Sequence, residues 1–114
     1  MSTATFNALH AKSVLFDAQR AAEKATNDYI TTYGDRDACG FAWVKVRGVR
    51  INSKMGKLLV LHGFDKAYGG GLSLWNPSRH FTQAMTAKEK GAEAYAKILR
   101  DNLGLDAFAD SRMD

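Results

Sequence analysis

The fold is decided by the stretch Ala38-Cys-Gly-Phe-Ala-Trp-Val-Lys-Val46, the longest run of strand-forming residues in the chain. Side chains alternate between the two faces of a strand, so Cys39, Phe41 and Trp43 share one face, and small or branched apolar residues share the other. Neither face is polar before Lys45. A strand that is apolar on both faces is typical of the centre of a sheet. The stretch therefore predicts a central strand.

The residues before this strand have the pattern of a long helix, from Thr5 to about Thr32. Small apolar residues recur on it at helical spacing and form one narrow stripe. Ser2 or Thr3 can cap the start of the helix, and Gly34 suits its end. Because alanine dominates the stripe, its partner can approach closely, either as the chain's own sheet or as a second copy across a two-fold axis. The stripe comprises Ala11, Leu15, Ala18, Ala22, Ala25 and Tyr29.

The residues directly after the strand predict a short helix and then a loop. Asn52 or Ser53 can cap this helix, which runs to about His62. Because Gly56 weakens the helical pattern, a strand over Lys57–His62 is the alternative. The segment Asp65–Gly71 follows, and its three consecutive glycines are typical of a loop.

A hairpin, a helix and a last strand complete the chain. Leu72–Trp75 and His80–Ala84 are predicted as paired strands, because Asn76–Arg79 has the chemistry of a type I turn. Thr86–Glu89 predicts a capping box at the start of the next helix, which runs to about residue 102. The alternating residues of Leu105–Arg112 predict a final edge strand.

After the long helix, the order strand, helix, strand, strand, helix, strand is the split β-α-β order of a ferredoxin-like sandwich. The predicted fold class is therefore α+β: a long N-terminal helix in 1–34 and a β-α-β-β-α-β sandwich in 38–114, together one domain over 1–114. If 80–84 is not a strand, the alternative is a three-stranded sheet with helical crossovers. The two later helices would cover one face of the sheet. The first helix, a second subunit or a ligand would cover the other face.

Composition limits the classes of function. A chain that is 46% hydrophobic and 25% charged is ordinary for a soluble domain. No apolar run approaches the roughly 18 residues that span a bilayer, and Met1–Phe6 lacks the features of a signal peptide. We therefore expect a cytoplasmic protein without a membrane partner. Cys39 is the single cysteine, which excludes an internal disulfide. No metal or other cofactor is predicted, because His10, His62 and His80 are far apart in sequence.

Charge is distributed unevenly along the chain, whose net charge is +4. Residues 38–90 carry nine Lys or Arg and two Asp or Glu, a balance of +7, whereas 1–37 and 91–114 carry −1 and −2. A basic middle segment favours an acidic protein or a nucleic acid as partner. Solubility and pairing within the chain are the alternative explanation.

The aromatic residues near this segment suggest a platform for nucleic-acid bases. Phe41, Trp43 and Trp75 would stack bases if they lay on an open sheet face. Burial in the core is the favoured alternative for Phe41 and Trp43, because large aromatic side chains usually serve packing. We expect Trp75 to be partly exposed. The residues that would contact phosphates are Lys45, Arg47, Arg50 and Arg79.

The loop Lys66-Ala-Tyr-Gly-Gly-Gly71 is a candidate phosphate cradle, with Lys66 as the counter-charge. It lacks the spacing and the final Lys-Ser/Thr of a P-loop, so a simple turn is the alternative. The candidate binding residues of this loop are Lys66, Tyr68, Gly69 and Gly70.

Two other constellations would supply catalysis. A nucleophilic Cys39 would need His62 or His80 as its base, whereas an inert packed thiol is the simpler interpretation. A pair of carboxylates on neighbouring strands would hold Mg²⁺ for phosphodiester chemistry. Turn formation, or ion pairing with Arg36 or Arg112, is the simpler interpretation. The carboxylates concerned are Asp35, Asp37, Asp110 and Asp114.

Several motifs are distributed along residues 15–114: Tyr33-Gly-Asp-Arg-Asp-Ala-Cys-Gly-Phe-Ala-Trp-Val44, Ala67-Tyr-Gly-Gly-Gly71, Leu74-Trp-Asn-Pro77, Gly91-Ala-Glu-Ala-Tyr-Ala-Lys97 and Ser111-Arg-Met-Asp114. Together they resemble a group of small uncharacterised proteins encoded by tailed bacteriophages. The resemblance implies a phage gene product that acts inside an infected bacterium. It carries no catalytic assignment. Small accessory phage proteins often modify or inhibit a host or defence component, and the resemblance implies that class of role.

We therefore expect a phage accessory protein that binds a host or defence component through its basic middle segment, without catalysis. The component would be an acidic protein or a nucleic acid. One alternative is a nucleotide-binding or nucleotide-sequestering protein, or a small Mg-dependent phosphodiester enzyme, that uses the glycine-rich loop. Another is a self-assembling structural component. A homodimer through the N-terminal helix or the open sheet face fits the same sequence.

Overall fold

A computed structural model describes residues 6–35 and 38–114. These residues form an α+β structure in which helices pack on one face of a four-stranded antiparallel sheet. The helices are α1 (Ala8–Tyr33), α2 (Lys54–Leu61) and α3 (Met85–Leu103). The strands are β1 (Gly40–Arg47), β2 (Asp65–Lys66), β3 (Leu72–Trp75) and β4 (Asp106–Met113), in the sheet order β2-β3-β1-β4.

The central position predicted for the strand within Ala38–Val46 is confirmed. β1 pairs antiparallel with β4 over its whole length on one side and with β3 over Trp43–Val46 on the other. Its inward side chains are Ala42, Val44 and Val46, each at most 1% exposed. They form one core with residues of all three helices.

The hairpin predicted between 72–75 and 80–84 is wrong. β3 pairs with β1 on one edge, and on the other edge it pairs with β2, which lies in the segment predicted as a loop. Of the second predicted strand, only Ala84 makes a bridge, to Cys39 beside β1. The three-stranded alternative is wrong as well, because β2 supplies a fourth strand.

The turn itself does form, and it explains why no return strand follows. The Arg79 N–H donates to the Asn76 carbonyl at 2.9 Å, which is the hydrogen bond that closes a four-residue β-turn. The Gln19 side chain of α1 then donates to the Pro77 carbonyl at 2.7 Å, and Pro77 and Ser78 are buried. Because the turn is held against the helices, the chain after it leads away from β3 towards the start of α3.

The capping box predicted at Thr86–Glu89 is also wrong. Helix α3 begins at Met85, and Ala84 occupies the cap position without a side-chain hydrogen bond. The Met85 N–H instead donates to the Ala38 carbonyl at 2.8 Å. A backbone contact with the neighbouring segment therefore replaces the side-chain cap and starts the helix one residue before Thr86.

The starts of the other two helices have side-chain caps. The Ser53 hydroxyl accepts a hydrogen bond from the Gly56 N–H at 3.0 Å, which confirms one of the two caps predicted for α2. Helix α1 begins after Asn7, whose side chain caps it. The caps predicted at Ser2 and Thr3 lie outside the described residues.

The alanine-rich stripe of α1 packs on α3 and not on the chain's own sheet, which was one of the two partners expected for it. The two helices are antiparallel: the His10 ring lies 3.4 Å from the Asn102 carbonyl at one end, and the Thr26 hydroxyl donates to the Ala87 carbonyl at 2.8 Å at the other. A Cβ atom at Gly91 would lie 2.5 Å from the Thr26 hydroxyl oxygen. The helices can therefore approach this closely only because residue 91 has no side chain.

Candidate functional site

The sheet face that points away from the helices is open. Among the described residues, no helix packs on this face, because α3 and the core occupy the other side of β1. Cross-strand pairs in an antiparallel sheet share a face, so the register identifies the members of this open face. They are Phe41, Trp43, Lys45 and Arg47 of β1, Asp65 of β2, Ser73 and Trp75 of β3, and Asp106, Phe108, Asp110 and Arg112 of β4.

Core burial, the favoured interpretation of Phe41 and Trp43, is wrong. Both side chains lie on the open face and are partly exposed, and Trp75 beside them is 56% exposed, as expected. The rings of Trp43 and Trp75 are stacked, with centroids 5.4 Å apart and planes 11° apart. The ring of Phe41 lies 5.3 Å from that of Trp75. We call these three rings the aromatic platform.

A shallow depression of about 280 Å³ adjoins the platform. Tyr68, which lies in the glycine-rich loop, is fully exposed at its margin. Lys45 and Trp75 line it together with Tyr68, so the structure brings three of the predicted binding residues to one place. Asp110 also lines the depression, and sequence reasoning did not place it there. Only the pairing of β4 with β1 reveals this position, because Asp110 lies directly opposite Trp43.

Cations lie close to the rings of the open face. The ammonium of Lys88 is 5.3 Å from the centroid of Phe41 and also donates to the Gly40 carbonyl at 2.9 Å. The guanidinium of Arg112 is 6.0 Å from the same ring. These distances are within the range in which a cation is attracted to an aromatic face. The platform therefore has positive charge at its margin.

Arg47, another predicted phosphate contact, is already engaged. Its guanidinium forms an ion pair with Asp106 at 3.0 Å and lies 5.0 Å from the ring of Phe108. The charge of the open face is consequently mixed, and the basic middle segment does not form one continuous positive surface.

The remaining predicted basic residues lie elsewhere. Arg50 and Lys66 line a second depression, of about 350 Å³, at the β2 side of the sheet. Arg79 lies near the imidazole of His62. Burial lowers the pKa of His62, and the charges of Lys12 and Arg79 lower it further. The structure therefore divides the predicted basic residues among three sites.

The glycine-rich loop is a hydrogen-bonded turn. The Gly70 N–H donates to the Ala67 carbonyl at 3.1 Å, and the Ala67 N–H donates to the Gly71 carbonyl at 2.9 Å. Gly69 and Gly70 both have positive φ, 86° and 108°, which favours glycine at these positions. Because two of its amides bond within the loop, the loop resembles the simple turn more than a phosphate cradle.

The catalytic constellations do not assemble in the form that the sequence suggested. Cys39 is exposed, so the packed thiol is wrong, and its sulfur donates to Gln83 at 3.4 Å, not to a histidine. Asp35 accepts a hydrogen bond from the Thr82 hydroxyl. Asp37 lies outside the described residues. Within 6–35 and 38–114, no three His, Cys, Asp or Glu side chains are grouped so that they could hold a metal ion.

The chain was compared with models of protein families, with curated proteins and with solved structures, and none of the three comparisons found a match. None of the helices in the described part of the chain is long and apolar enough to cross a membrane. Function is therefore inferred from the open face.

Proposed function

We propose that this chain is a non-catalytic protein that binds single-stranded nucleic acid on its open face. The observation that supports this function is the aromatic platform, three neighbouring rings on a sheet face that is free of helices in the described residues. Stacking of one base on an aromatic side chain contributes about 1–3 kcal/mol to the free energy of binding, whichever base it is. Lys45, Lys88 and Arg112 lie at or beside the platform and would contact phosphates.

We propose that the open face belongs to a ferredoxin-like sandwich. Its support is the order of elements after α1 and the sheet order β2-β3-β1-β4. In such a frame β1 and β3 are the two central strands, and they carry Phe41, Trp43 and Trp75. RNA-binding sandwiches stack bases on aromatic residues of a four-stranded sheet, and this likeness is an analogy of architecture.

Single-stranded nucleic acid fits the open face better than a duplex or an acidic protein. Stacking on the platform requires bases that are not already paired and stacked. Binding of a duplex or an acidic protein would instead need a continuous basic surface. The predicted basic residues are divided among three sites. With about three phosphate contacts, the logarithm of affinity should fall with the logarithm of salt concentration with a slope of about −2.

The biological setting of the proposal comes from the motif resemblance. A phage accessory protein in the cytoplasm of an infected bacterium would hold single-stranded nucleic acid of a host or defence component and so modulate that component. The same binding would need neither a cofactor nor a catalytic residue.

Trp75 provides the test. We expect Trp75→Ala to weaken the binding of labelled single-stranded DNA and RNA of about 12 nucleotides by roughly tenfold or more, measured by fluorescence anisotropy at about 50 mM salt. Phe16→Ala is the matched control. Phe16 is an aromatic residue of α1 that is 58% exposed, compared with 56% for Trp75, and it has an arginine over its ring, as Phe41 of the platform does.

Two results would overturn the proposal. One is the absence of binding to either nucleic acid at low salt. The other is equal loss of binding in the Trp75 and Phe16 variants. Light scattering distinguishes a further alternative: a wild-type dimer that Trp75→Ala converts to a monomer, without oligonucleotide binding, would make the open face a subunit interface.

A further inference from the structure

The depression beside the platform has an acidic and a basic group next to Trp43, the acidic one across from it on β4 and the basic one further along β1. Asp110 lies directly across from Trp43 in the pairing of β4 with β1, and Lys45 follows Trp43 by two residues on the same strand face. Opposed residues lie about 5 Å apart, and next-but-one residues of a strand lie about 7 Å apart. A single base stacked over the Trp43–Trp75 pair would therefore be within reach of both charged groups.

Both groups have hydrogen-bonding capacity left. One carboxylate oxygen of Asp110 accepts from the Ser111 N–H at 2.9 Å, which orients the carboxylate, and the other oxygen has no partner among the described residues. Lys45 forms no ion pair within the described part of the chain, and its ammonium has three donors. Asp106, by contrast, is already paired with Arg47 at 3.0 Å.

Guanine has the edge that complements this pair. Its N1–H and its N2 amino group are adjacent donors, which a carboxylate accepts together, and its O6 accepts from an ammonium. Adenine and cytosine present one amino group next to a ring acceptor, and that acceptor would face the carboxylate. Uracil and thymine present one N–H between two acceptors. A carboxylate that faces another acceptor is unfavourable, so adenine, cytosine, uracil and thymine are all disfavoured.

We infer that this depression selects guanine in single-stranded nucleic acid, with Asp110 as the residue that determines specificity and Lys45 as the donor to O6. The inference rests on the proposed function, since it requires a base stacked on the platform. Trp75 supplies stacking for any base, and Asp110 distinguishes one base from the others.

The test uses oligouridine and oligodeoxythymidine strands of about eight nucleotides with one central guanine, inosine, adenine or cytosine. We expect the full chain to bind the guanine strand roughly tenfold more tightly than the adenine strand. Inosine keeps N1–H and O6 but lacks the N2 amino group, so its affinity should be intermediate. Asp110→Asn should reduce the ratio of guanine to adenine affinity to about one, because an amide cannot accept two hydrogen bonds in the same way.

Asp106→Asn is the matched control, because it removes the same charge from the same face of the same strand. It should leave the ratio of guanine to adenine affinity unchanged. Circular dichroism establishes that both variants are folded. A wild type without preference for guanine, or an Asp110→Asn variant that keeps the preference, overturns the inference. In either case, a loss of binding to every strand in Trp75→Ala would leave the proposed function intact. Failure of every strand to bind would overturn both.

Discussion

The two faces of the sheet differ in the size and the burial of the side chains that β1 contributes to them. On the covered face, β1 contributes Ala42, Val44 and Val46, which are fully buried under the helices. On the open face, the same strand contributes Phe41 and Trp43, which are larger and yet partly exposed. In this strand, the size of an apolar side chain is therefore a poor guide to its burial. The small and branched residues of β1 face the helices, and its large rings occupy the face that remains available to a ligand.

The largest difference in stability between the two faces should appear when one residue is replaced on each face of β3. Leu72 is 1% exposed on the covered face, and Leu72→Ala should lower the free energy of unfolding by about 2–5 kcal/mol. Trp75→Ala, on the open face, should cost only about 1 kcal/mol, the energy of its ring contacts. Urea denaturation followed by circular dichroism measures both.

Binding should show the reverse order. The folded fraction of Leu72→Ala should bind oligonucleotides as the wild type does, whereas Trp75→Ala should not. If Trp75→Ala destabilised the protein as much as Leu72→Ala, the open face would belong to the core and the contrast between the two faces would disappear.

A smaller loss of stability should follow when α1 and α3 are forced apart on the covered face. Gly91→Ala would place a Cβ atom 2.5 Å from the Thr26 hydroxyl oxygen and 3.0 Å from the Cβ of Ser78. Overpacking of this kind costs about 1–3 kcal/mol. Thermal denaturation measures it, and Glu93→Ala on the exposed side of α3 is the control, with an expected change within about 0.5 kcal/mol. A fully stable Gly91→Ala variant would show that α1 and α3 can separate without loss.

The smallest effect should be a pH dependence of the free energy of unfolding that arises from His62, at the end of α2. Because the pKa of His62 is lowered in the folded protein, the unfolded chain binds a proton that the folded chain excludes. Stability should therefore be complete above about pH 6.5 and should decline as pH falls below that value.

Lys12 is one of the charges that lower the pKa of His62, so Lys12→Gln should raise it. Titration of the His62 ring protons by NMR measures this change directly. Lys24→Gln is the control on the same helix, because Lys24 is paired with Asp28 at 2.6 Å. If the pKa of His62 were unchanged in Lys12→Gln, the charge of Lys12 would not be a cause of its lowering.

The fold could be predicted where local signals agreed with the final packing. The period of two in β1, the alanine stripe of α1 and the Ser53 cap are local, and each corresponds to an observed element. The return strand after Asn76–Arg79 and the capping box at Thr86–Glu89 failed, because hydrogen bonds from distant segments decided the path of the chain there.

The candidate site could be predicted only in part. The aromatic residues and Lys45 were visible in the sequence, but β1 is apolar on both faces, so its periodicity could not say which face would be covered. Asp110 joins the site through the register of β4, which follows β1 by some sixty positions and carries no local sign of its partner. The dispersal of Arg50, Lys66 and Arg79 likewise follows from topology and not from charge.

The packing of α1 on α3 also sets an order of events during synthesis. Its two anchoring hydrogen bonds join residues that are 61 and 92 positions apart in the chain. A ribosome adds about 5–20 residues per second, so the alanine stripe of α1 emerges seconds before the helix that will bury it. The first helix to be made therefore cannot bury its stripe on α3 until most of the chain has been synthesised, and the nascent chain carries an unburied apolar stripe until α3 appears. Gly91, which permits that late docking, therefore influences how long the growing chain remains open to aggregation as well as how stable the finished protein is.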